Sequence, residues 1–250
     1  MTGIDRLGLS ASDGRPRAAV GALGVCLGGL AAGVVGLILF PLDAVLAGLG
    51  LAGTVAGDQF GGHKIQLGFA AFAVLYLWTR DDLGRYVRVR WPTLPDVAWV
   101  VAVIVAVPLL STLAGAALAA VGMGPTGSHG EAFALYEHPA AVPALFVGLY
   151  LFAAPAEELV YRGLIHGRLR EAFSTRERVL LAGALFGLMH LLVGFLTPGT
   201  GIVGAVRWGV RACVPGVVWG FAYERTDNLA VTVAAHAISW TIPVGALLGL

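Results

Sequence analysis

The chain has 250 residues, 58% of them hydrophobic and only 12% charged, with a formal net charge of +1 and a mean hydropathy of +0.83. Soluble domains carry about 25% charged residues, so an ordinary soluble globule is excluded and a membrane protein is indicated. Without a basic tract or a large charge excess, nucleic acid is not an expected partner.

Residues 1–17 read as a polar N-terminal tail containing Arg6, Arg15 and Arg17. The apolar run 18–40 exceeds the roughly 7–15 residues of a signal-peptide core, so it reads as an uncleaved first span. Segment 42–57 is apolar but short and follows Pro41; it reads as a span, a re-entrant piece or an interfacial helix. Further spans, each needing about 20 apolar residues, are expected at 66–80 (a short one), 97–122, 141–161, 179–197, 202–222 and 229–250. Residues 18–250 thus form a single transmembrane domain, an all-α polytopic helix bundle of seven or eight spans. Cys26 and Cys213 both lie in apolar stretches and read as buried free thiols, with no disulfide framework.

Loop charge sets the orientation. Arg80, Arg85, Arg88 and Arg90 form one basic connection; Arg162, Arg168, Arg170, Arg176 and Arg178 form another. The positive-inside rule places both in the cytoplasm, separated by two crossings. With the N-terminal tail also inside, 42–57 does not span and the total is seven; with the tail outside, it spans and the total is eight. A multi-pass location in the cell (plasma) membrane is expected.

The chemistry concentrates in the second half. Glu157 and Glu158 follow a membrane-type run, with Arg162 four residues after Glu158, and His190 and His236 lie inside later apolar stretches. Ionisable residues within the membrane are site candidates by default. Glu158 and Arg162 have the spacing at which helical side chains meet, while Glu157 faces about 100° away on the same helix. Pro155 predicts a kink or a restarted helix that would set both glutamates in a first turn, where the helix dipole favours carboxylates. The rise of 1.5 Å per residue puts His190 roughly 16 Å and His236 roughly 10 Å inside the cytoplasmic face. Both glutamates fall near the cytoplasmic end of 141–161, so all four side chains can converge.

A plainer reading is that Glu157, Glu158 and Arg162 only mark the membrane boundary, and that His190 and His236 are packing residues. His63, His129, His138 and His166 read as ordinary surface residues. Arg207 and Arg211, four apart, face either the cluster or the outer interface. They are candidates for substrate or carboxylate contacts. No zinc-protease helix, nucleophile elbow or phosphate loop is present, and Ser239 lacks a triad arrangement.

These residues resemble the CPBP intramembrane proteases, also called the Abi or CAAX-protease family. The family's Glu-Glu-x-x-x-Arg motif matches Glu157-Glu158-Leu159-Val160-Tyr161-Arg162, and its Phe-x-x-x-His motif matches Phe186-Gly187-Leu188-Met189-His190. The third motif begins at His236. The resemblance covers residues 141–245, which would be the catalytic core. One position departs from it: Trp240 stands where protease members carry Asn or Asp.

The resemblance implies a polar intramembrane cavity open to the cytoplasmic side. It implies catalytic roles for Glu157, Glu158, Arg162, His190 and His236. Glu157 would be the general base that activates water, with His190 helping to hold that water or stabilise the oxyanion, His236 beside it, and Glu158 and Arg162 supporting the site. Burial raises a glutamate toward the working range of a base. No cofactor is expected; zinc held by Glu157, His190 and His236, with an open position for water, stays open. The expected partners are the lipid bilayer and a membrane-anchored protein or peptide substrate. Two further functions compete: a non-catalytic binding or immunity protein, which Trp240 favours, and a transporter, against which 18–122 and 141–250 show no repeat.

Overall fold

The computed structural model describes residues 14–124, 142–242 and 244–249. Among these residues every regular element is helical. Helix α1 (Gly14–Leu39) is followed by two short helices, α2 (Leu42–Gly48) and α3 (Val55–Gly62), and then by α4 (Lys64–Trp78). A single turn at Leu83–Arg85 leads to α5 (Leu94–Ala120). Helix α6 runs over Val142–Leu169, and α7 (Thr175–Leu196), α8 (Gly201–Thr226), α9 (Leu229–Thr241) and the short α10 (Val244–Leu247) complete the order. Five of these, α1, α5, α6, α7 and α8, are long and apolar enough to cross a membrane; α4 and α9 are shorter apolar helices.

Several expectations are corrected. Segment 42–57 is no eighth long helix, but becomes α2 and the start of α3, separated by a turn through Gly50 and Gly53 at positive φ. The helix expected over 229–250 is shorter, because α9 stops at Thr241. Ile242 is extended (φ −116°, ψ 119°), as the residue before a proline tends to be. His129 and His138 lie outside the described residues.

Helix α6 departs most from expectation. Pro155 does not restart it, and the backbone stays right-handed helical through Ala153 and Leu159. Wide π-type turns flank the proline, at Phe146–Ala153 and Leu159–Ile165. Such turns give the missing N–H and the crowded carbonyl room without breaking the helix. The helix therefore continues to Leu169, and the two glutamates lie in its interior, roughly 17 Å from its end. No helix terminus offers them its dipole; their charge must be met by side chains.

The arginines read as a loop after residue 161 are partly inside this helix. Arg162 is buried. His166, expected at the surface, is fully buried too, its Nδ1 3.0 Å from Glu224 Oε1. Glu224 on α8 also accepts from Arg178 Nη2 at 2.6 Å and Arg170 Nη2 at 3.4 Å, so one carboxylate ties α6, α7 and α8 together. At the same basic end Arg15 pairs with Glu177, Arg88 with Asp227 at 2.6 Å and Arg90 with Asp96 at 2.6 Å. Helices α1, α5, α7 and α9 start at this end and α4, α6 and α8 finish there. Lys64, at the start of α4, pairs with Asp43 of α2.

Small residues let the spans approach closely, as in membrane helix packing generally. A Cβ on Gly187 of α7 would lie 2.1 Å from Cys213 Sγ and 2.6 Å from the Gly209 carbonyl of α8. A Cβ on Gly68 of α4 would lie 2.0 Å from the Ala32 carbonyl of α1. Cys26 and Cys213 are both free thiols, Cys26 fully buried and Cys213 half-buried.

Overpacking costs about 1–3 kcal/mol, so Gly187→Val should lower the thermal midpoint in detergent by several degrees. Gly24→Ala, with nothing within 4 Å of its added Cβ, should leave the midpoint unchanged. Equal midpoints for the two variants would show that α7 and α8 do not pack as described.

Candidate active site

The site forms where α4, α6, α7, α8 and α9 face one another. Its fixed part is an ion pair within α6. Arg162 Nη1 donates to Glu158 Oε1 at 2.9 Å, and Nη2 donates to the Gly216 carbonyl of α8 at 2.9 Å. Exposure is 1% for the arginine and 0% for the glutamate. The guanidinium lies over the rings of Phe186 and Trp219, 5.2 and 5.4 Å from their centroids, a favourable setting for a desolvated cation. Either charge alone would be costly there, whereas the hydrogen-bonded pair is tolerable.

His236 of α9 joins this pair. Its Nδ1 is 2.8 Å from Glu158 Oε1. A carboxylate held by an arginine has no proton to donate, so Nδ1 carries the hydrogen and Nε2 is left as an acceptor. Trp219 stacks on the imidazole at 4.0 Å and 26°, while Trp240 packs edge-on at 4.2 Å and 62°. The ring is thereby fixed in plane and tautomer.

Glu157 sits opposite. Its Oε1 accepts from Gln66 Nε2 of α4 at 2.7 Å, while Oε2 is buried without a hydrogen-bond partner. That free oxygen lies 3.8 Å from His236 Nε2. The gap is too long for a direct hydrogen bond.

His190 of α7 faces the same region. Its Nδ1 is 2.9 Å from the Phe186 carbonyl, its ring packs against Phe186 at 4.5 Å and Trp208 at 5.6 Å, and part of it stays accessible. It is close enough to interact electrostatically with Glu157 and His236.

Glu157, Glu158, Arg162 and His236 are thus in one hydrogen-bonded or near-contact group, with His190 beside it. The candidates Arg207 and Arg211 are not part of this group. Arg207 Nη1 donates to the Met123 carbonyl after α5 at 2.7 Å, and Arg211 is exposed. Ser239 donates to the His236 carbonyl at 2.7 Å and joins no triad.

Two residues escape the sequence reading. One is Gln66, which carries no charge and so gives no signal within an apolar helix. The other is His63, just before α4, which the sequence suggests to be a surface residue. It stacks on Trp240 at 5.7 Å and 23° and interacts electrostatically with Glu157 and His236. Among the described residues no three His, Cys, Asp or Glu side chains form a group that could hold a metal ion.

Fold and site together define a multi-pass helical membrane protein with a buried carboxylate–imidazole centre. Residues 139–242 match the family model described as type II CAAX prenyl endopeptidase Rce1-like. This match is consistent with the resemblance to the CPBP/CAAX proteases. The matched segment spans α6 to α9 and contains Glu157, Glu158, Arg162, His190 and His236, whereas His63 and Gln66 lie outside it. No curated protein and no solved structure matched the chain.

Breaking a buried pair by removing one partner typically costs about 3–5 kcal/mol. Arg162→Met should therefore reduce accumulation in membranes and lower the thermal midpoint sharply, since Glu158 would be left buried and unpaired. The double variant Arg162→Met/Glu158→Gln should recover part of the loss. Purified protein from each variant, compared by thermal unfolding in detergent, checks this, and a wild-type midpoint for Arg162→Met would contradict it.

Proposed function

We propose that the protein is an intramembrane endopeptidase that hydrolyses a peptide bond of a membrane-associated protein or peptide. The observation that carries this reading is Glu157 Oε2: buried, unpartnered and 3.8 Å from His236 Nε2. Two acceptors at that separation suit a water that donates one O–H to each, leaving its lone pairs free for attack.

In this scheme Glu157 removes a proton as the water oxygen bonds to the scissile carbonyl carbon. The tetrahedral intermediate then collapses with cleavage of the C–N bond. Glu157 returns the proton to the leaving amine, so that peptide and water become acid and amine. Glu158, neutralised by Arg162, holds His236 in the Nδ1–H tautomer. His190 Nδ1 is directed at a carbonyl, so its neutral form has only an acceptor, Nε2, to offer. In that form His190 offers no donor to an oxyanion, and both O–H groups of the water are already given to Glu157 and His236.

The alternation of helix ends supports seven crossings, with α4 and α9 spanning alongside the five long helices. The arginine-rich end would be cytoplasmic, the cavity would open there, and the membrane would be the plasma membrane. The scheme needs no metal.

General-base catalysis contributes typically about 10²–10⁴-fold. Glu157→Gln should lower cleavage of a membrane-anchored reporter by at least about 10²-fold while the protein accumulates normally, and chelation should leave the wild type active. Loss of activity on chelation, restored by zinc, would contradict the metal-free scheme. One observation favours a non-catalytic binding protein: the Trp240 ring packs on His236 at the position where proteases carry Asn or Asp. Full complementation of a deletion phenotype by Glu157→Gln would select that reading.

A further inference from the structure

We propose that Gln66 is a positioning residue of this centre, one that holds the Glu157 carboxylate with an oxygen facing His236. The inference rests on the hydrolytic reading above and adds a residue outside the matched domain, from the N-terminal half of the chain.

Gln66 is buried in the first turn of α4. Its Nε2 lies 2.7 Å from Glu157 Oε1. An ionised carboxylate only accepts, so the amide must present its nitrogen and not its oxygen to that contact, which fixes the amide orientation. Gln66 Oε1 is buried and has no hydrogen-bond partner. An unsatisfied buried acceptor costs about 1–3 kcal/mol. A methionine or leucine would fill the same place in α4 without that cost. The packing of α4 against α1 therefore does not call for an amide here, whereas the carboxylate does.

The consequence for Glu157 follows from its geometry. The terminal torsion of glutamate is broad, so the carboxylate plane turns readily when nothing holds it. The Gln66 bond engages Oε1 and leaves Oε2, the oxygen 3.8 Å from His236 Nε2, without a partner. Holding reacting groups in one geometry is a large part of enzymatic rate, and small misplacements cost up to about 10²-fold. Two contacts hold this end of α4 in place, the Lys64–Asp43 pair two residues before Gln66 and the stacking of His63 on Trp240.

The test compares Gln66→Met and Gln66→Leu with the wild type, purified in detergent, on the same membrane-anchored reporter. The expected result is a roughly 10- to 10²-fold fall in kcat per folded molecule with KM unchanged. A rise in KM at constant kcat would overturn the positioning role, as would unchanged turnover per folded molecule. An infrared readout works without turnover. The Glu157 carboxylate band, assigned by its loss in Glu157→Gln, should shift in both variants, and an unshifted band would overturn the proposal. If the band shifts but no form of the protein cleaves any reporter, the hydrolytic reading fails and the role of Gln66 in catalysis fails with it, while its contact with Glu157 stands.

Discussion

The site depends on one buried interaction, the three-way bond among Glu158, Arg162 and His236. Glu158 Oε1 accepts from both Arg162 and His236 at 2.9 and 2.8 Å. In a low-dielectric interior each of these groups would be costly alone. Together they place an ionised carboxylate deep within helix α6 and direct the far nitrogen of His236 toward Glu157. The rings of Phe186, Trp219 and Trp240 keep this charge dry and the imidazole in plane.

That arrangement explains why two adjacent glutamates differ. Glu158 accepts from Arg162 and His236 through Oε1, and this charge serves the structure, while its Oε2 is buried without a hydrogen-bond partner. Glu157, rotated around the helix, keeps one oxygen free and is held through the other by a neutral amide. Adjacent residues on an α-helix are separated by about 100°, so a Glu-Glu pair supplies one supporting and one reactive carboxylate without further machinery. The wide turns on either side of Pro155 let α6 carry both past the proline without ending.

Much of this is legible in the sequence because it is local or periodic. The spacing of Glu158 and Arg162 predicts their contact, and apolar runs predict the long helices. His190 and His236 stand out because charge-capable residues in apolar runs are rare. The parts that are not legible depend on distant partners. Arg162 and His166 look like loop residues next to an arginine-rich stretch; they are buried because Gly216 and Glu224, some fifty residues later on α8, receive them. Gln66 is silent because a neutral amide inside an apolar helix carries no pattern, and its partner is ninety-one residues away. His63 looks exposed because its neighbour Trp240 lies on another helix.

The most direct measurement is the protonation pattern of the His236 ring, read by nitrogen NMR on histidine-labelled protein and assigned by its loss in His236→Gln. The account predicts a proton on Nδ1 and a bare Nε2, with this preference lost in Glu158→Gln. A bare Nδ1 with the proton on Nε2 would mean that Glu158 does not hold the ring, and the arrangement described for the site would be wrong.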